Sequence, residues 1–62
     1  MNETLRQNIE NMRFNMNGRI KQLDGYIREY KKANDFENAM KCDIKRRQLL
    51  IVLDQINKAL EL

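Results

Sequence analysis

Catalysis needs a nucleophile, an acid–base pair or a set of metal ligands held together, and this chain offers few of those ingredients. Its 62 residues contain one cysteine, Cys42, and no histidine. With a single thiol and no imidazole, no disulfide closes within the chain and no ordinary zinc site can be assembled. The carboxylates Asp24, Glu29, Asp35, Glu37, Asp43 and Asp54 alternate with bases along the sequence and form no inward-facing cluster of the kind general acid–base chemistry uses. The sequence therefore predicts no catalytic residue, no cofactor and no metal. Cys42 falls among apolar positions, where a small buried hydrophobe is expected more than a reactive thiol.

Binding chemistry is better represented. Arg28, Lys31, Lys32, Lys41, Lys45, Arg46 and Arg47 cluster around the middle of the chain and are candidates for a phosphate-contacting patch. Glu29, Asp35, Glu37 and Asp43 share that region, and neither a Gly-rich loop nor a set of interleaved aromatics accompanies it. Nucleic-acid binding is accordingly the second reading. A different set, Phe14, Gly18 and Gly25, lies with Asn11 and Lys21 on one side of the first half of the chain. Glycine within a helix costs about 1 kcal/mol relative to Ala, so two on one face suggest a surface that a partner backbone approaches, with Phe14 as its aromatic anchor.

Long helices must position all of these residues. Leu5, Ile9, Met12, Met16, Ile20, Leu23, Ile27 and Tyr30 recur at steps of three and four, which predicts one helix over residues 3–32 with a single apolar seam. The successive steps of four at Met12, Met16 and Ile20 relax left-handed supercoiling there. Residues 33–35 break the pattern: Lys31 and Lys32 suit a helix C-terminus, Asn34 tolerates a left-handed cap, and Asn34 or Asp35 can cap a following helix. So short a turn makes the helices antiparallel. Asn2, Asn8, Asn11, Asn15 and Asn17 weaken intrinsic helicity in the first 17 residues.

The second helix is expected over residues 36–60. Its main stripe is Ala39, Cys42, Leu49, Leu53, Ile56 and Leu60, broadened by Leu50 and Val52, and Met40, Ile44 and Ile51 form a second stripe roughly opposite. The unbroken run Leu49 to Leu53 covers every side of the helix. One neighbouring helix cannot bury it. Arg46 lies near the middle of the main stripe and must snorkel or pair with Asp43 or with a carboxylate of another chain.

Composition points the same way: no Pro, no His, no Trp, two Gly and 34% charged residues describe an all-α protein. A single core below roughly 70 to 80 residues seldom contributes more than about 3–5 kcal/mol, and oligomerisation is the remaining route to stability. The expected architecture is a two-helix antiparallel hairpin forming a four-helix bundle as a homodimer. Met40, Ile44, Leu49, Leu50, Ile51, Val52, Leu53, Ile56 and Leu60 supply its interface. No segment resembles a signal peptide or supplies the roughly 18 apolar residues of a membrane span, and the lone thiol fits a reducing compartment; the expected location is cytoplasmic, away from membranes.

From Ile20 to Ala39 the order Ile20, Leu23, Ile27, Lys32-Ala33-Asn34-Asp35-Phe36-Glu37 and Ala39, with Leu49 further on, resembles the UVR motif, the helical hairpin of the UvrB and UvrC repair proteins. The chain departs from that motif at Met40, in place of a second Ala, and at Asp43-Ile44 followed by Arg46. The resemblance implies a protein–protein interaction module that pairs with another such hairpin. The style of the second helix is also similar to small helical-hairpin proteins of bacteriophages. The expected function is a non-enzymatic interaction module, an adaptor, regulator or inhibitor, whose partners are a second copy of itself and another protein.

Overall fold

Two α-helices and one tight turn make up the computed structural model, which describes residues 2–61. Helix α1 spans Glu3–Lys32 and α2 spans Phe36–Glu61. At the start of α1 the Asn2 side-chain oxygen accepts the Leu5 amide at 2.8 Å, satisfying one of the donors that every helix N-terminus leaves unpaired. Glu3 in the first turn and Lys31 and Lys32 in the last place each charge at the favourable end of the helix dipole.

The turn closes one helix and opens the next within three residues. Asn34 adopts a left-handed conformation with φ of 59°, which its short polar side chain tolerates. The Asn34 amide donates to the Lys31 carbonyl at 3.1 Å and the Asp35 amide to that of Tyr30 at 2.8 Å, the paired bonds of a Schellman ending. Asp35 then caps α2: its carboxylate accepts the Asn38 amide at 3.3 Å and its carbonyl the Ala39 amide at 3.1 Å. Reversal of direction is thus encoded locally, before any apolar contact forms.

The two helices pack antiparallel along their length. Leu23 is the best-covered side chain at 1% exposure, and Ala39 and Leu60 are also buried. Around them Ile9, Met16, Ile20, Ile27 and Tyr30 of α1 and Cys42, Leu49, Leu53 and Ile56 of α2 are half-buried. Two polar contacts cross between the helices. Arg46 Nη1 lies 3.4 Å from Asp24 Oδ1, and Arg13 Nη1 donates to Asn57 Oδ1 at 3.3 Å. They fix the register of one helix against the other at both ends of the core.

The apolar seam of α1 is only partly covered. Leu5 and Met12 stay 49% and 55% exposed. The α2 helix lies on the Arg13 side of the stripe, where Arg13 is half-buried and donates to Asn57 and Leu23 is covered; Met12, about 100° behind Arg13 on the helix, is turned outward. The molecule is a rod of 48 × 15 × 12 Å with a radius of gyration of 14.5 Å, against roughly 11 Å for a globular domain of this length.

Leu23→Ala is expected to destabilise the fold by about 2–5 kcal/mol, the usual range for a buried leucine, whereas Lys58→Ala, on an exposed face, should fall within about 0.5 kcal/mol. Denaturant unfolding of the two variants checks this assignment, and similar effects from both would contradict it.

Candidate functional site

Because each residue of a helix advances by about 100°, the run from Leu49 to Leu53 radiates around α2. Leu49 and Leu53 are half-buried on the side of α1, while Leu50, Ile51 and Val52 project in three other directions and remain exposed. Met40 and Ile44 extend the exposed set toward the turn, with Met40 at 64% and Ile51 at 62%. Of the residues expected at an oligomer interface, Leu49, Leu53, Ile56 and Leu60 thus face α1 within the chain, and Met40, Ile44, Leu50, Ile51 and Val52 are the ones open to another molecule. The structure adds Phe36, also exposed, beside Met40. Its place four residues before Met40, about 40° round α2 on the same exposed side, is the signal that could have revealed it.

Total area reinforces the picture. The chain exposes 5051 Å², against roughly 4,200 Å² for a compact monomer of 7.5 kDa. The excess of roughly 800 Å² is what one partner contributes to an interface of standard size.

On the far side of α1, Phe14 is 78% exposed. It borders a shallow depression with Asn17, Gly18, Ile20 and Lys21. A Cβ added at Gly18 would meet nothing within 4 Å, and one at Gly25 only the tip of the Arg28 side chain at 4.0 Å. Neither glycine is required by packing inside the chain.

The basic residues do not act as one patch. Arg28, Lys31, Arg46 and Arg47 border an open groove beside the turn, together with Asp24 and Asp43. Lys41 and Lys45 point away from it, about 120° and 160° round α2 from Arg47; Lys32 pairs with Glu29 at 3.5 Å and Lys41 with Glu37 at 3.5 Å. Asp43 draws in the two arginines. Its carboxylate accepts from Arg46 Nη2 at 2.7 Å and Nε at 3.3 Å, and Arg47 Nε lies 2.9 Å from the other oxygen. The hydrogen bonds from Arg46, with the charge of Arg47 beside them, hold the Asp43 carboxyl below its ordinary value of 3.8. The same bonds raise the Arg46 guanidinium further above its ordinary range, so it stays charged. A guanidinium shared between Asp43 and Asp24 is satisfied within the chain and has little left for an external phosphate. Asp24 was not legible as its partner from helical spacing alone. Folding the sequence back at Asn34-Asp35 brings position 24 opposite 46, and that mirror relation is the signal for it.

Among the described residues no group of three or more His, Cys, Asp or Glu side chains could hold a metal ion, and Cys42 is a half-buried free thiol. Among the same residues no helix is long and apolar enough to cross a membrane. Comparison of the chain with family models, with curated proteins and with solved structures found no match.

A depressed carboxyl pKa stabilises the folded state above the ordinary value of 3.8 and loses that contribution as the pH falls through the lower folded value. Carboxyl-carbon NMR should place the Asp43 midpoint below 3.8, and Arg46→Gln should return it toward that value. A midpoint at or above 3.8 in the unaltered chain would contradict the arrangement.

Proposed function

We propose that this chain is a non-catalytic protein-interaction module that self-associates as a dimer of helical hairpins, giving a four-helix bundle. The observation that carries the reading is the band of large apolar side chains left open on α2: Phe36, Met40, Ile44, Leu50, Ile51 and Val52. Burial of apolar surface contributes roughly 25 cal/mol per Å², so surface of this extent favours association strongly. A homodimer covers part of it, and the far side of α1 with Phe14, Gly18 and Gly25 remains for a different protein, as expected of an adaptor, regulator or inhibitor. Pairing of hairpins is also what the resemblance of residues 20–39 to the UVR motif implies. Action in the cytoplasm, where Cys42 stays reduced, belongs to the same proposal.

A nucleic-acid-associated role is the second reading. It is favoured by the concentration of positive charge in the turn half of the hairpin and weakened by the engagement of Arg46 and Arg47 with Asp43. Steep loss of duplex binding with rising salt would favour it.

Self-association makes thermal stability depend on protein concentration. The melting temperature should rise across a dilution series at constant buffer, with sedimentation showing a dimer at the upper end. A monomer at micromolar concentration with a concentration-independent melt would overturn the proposal.

A further inference from the structure

Ile44 and Ile51 lie seven residues apart on the outer side of α2, one heptad, with Glu37 one heptad before and Lys58 one heptad after. These four positions fall along one line of the helix, nearly parallel to its axis. Both isoleucines are exposed, and the side chains of Glu37 and Lys58 are more than two-thirds exposed. The line is therefore open to a partner from end to end.

Its charge sequence selects how a second copy can sit. Two α2 helices side by side in parallel would set Glu37 against Glu37 and Lys58 against Lys58. Antiparallel, with the two-fold axis passing between residues 47 and 48, Ile44 of each chain lies over Ile51 of the other, and Glu37 of each lies opposite Lys58 of the other. The wider charge distribution gives the same preference. Residues 20–47, the turn half of the hairpin, carry eight bases against five acids, while the open half carries four of each. Parallel docking sets two halves of net positive charge together, and antiparallel docking sets each against a neutral one.

We propose that the second copy docks on the outer face of α2 in antiparallel orientation, so that the turn of each hairpin lies at the open end of the other and the Ile44 to Ile51 pairs form the centre of the interface. This inference rests on the proposed self-association and specifies its geometry. Met40, about 40° round α2 from Ile44 on the side of the groove, would border the interface, and Leu50 and Val52 would flank it.

Single cysteines introduced into a Cys42→Ser background test the orientation, because a symmetric dimer cross-links a residue to its own copy only near the two-fold axis. Gln48→Cys should form an interchain disulfide under mild oxidation. Glu37→Cys and Lys58→Cys should not, since each would stand about 30 Å from its own counterpart at 1.5 Å of rise per residue; the two variants mixed together should cross-link to each other. All three positions are exposed, and circular dichroism checks that each variant keeps its helices. Sedimentation separates the two possible failures. A monomer before oxidation removes the self-association itself. A dimer in which Glu37→Cys or Lys58→Cys joins its own copy, or in which Gln48→Cys does not, overturns the antiparallel arrangement alone.

Discussion

One-sided packing is the constraint on which the rest of this structure depends. A helix facing a single neighbour can bury about one stripe of its circumference, and α1 and α2 have only each other. Where the apolar residues are confined to that stripe, as at Leu23 and Ala39, they are almost fully covered. Where they encircle the helix, as from Leu49 to Leu53, the three that point elsewhere are left in water. The elongated shape and the excess of accessible surface follow from the same limit.

Polar interactions set the geometry more than they stabilise it. The turn is specified by Asn34 in the left-handed region and by Asp35, which receives the next helix while its amide ends the last. The register of the hairpin is held by Arg46 with Asp24 and by Arg13 with Asn57. The pairs Glu37 with Lys41 and Asp54 with Lys58 are exposed, one turn apart, and worth about 0.2–0.5 kcal/mol each. Removal of Asp24 would leave Arg46 held by Asp43 of its own helix and delete the ion pair that joins α1 to α2.

The all-helical hairpin was legible in the sequence because two signals agree: apolar steps of three and four over some eight turns, and residue types at 33–35 that suit a cap and a reversal. The exposure of Met40, Ile44 and Ile51 follows from the same periodicity. Less was legible wherever the outcome depends on how α2 is rotated about α1. Met12 belongs to the seam by spacing and yet faces outward, because Arg13 takes the inward place through Asn57. The basic residues looked contiguous along the chain, but helical rotation sends Lys41 and Lys45 away from the groove that Arg28, Lys31 and Arg47 border. Asp24 as a partner of Arg46 needed the fold-back at the turn as well as the helix period. What the surface binds is a property of a second molecule, and a single chain carries that information only as apolar and charged patterns awaiting a complement.

In the proposed assembly the outer apolar face of α2 drives association while contributing little to the fold of the single chain. Sedimentation equilibrium of the unaltered protein beside the double variant Ile44→Gln, Ile51→Gln, each at the same micromolar concentration and each checked for helix content, tests it most directly. The first should be a dimer and the second a monomer of unchanged hairpin structure. A dimer that persists undiminished in the double variant, or an unaltered protein that is already monomeric, would contradict it.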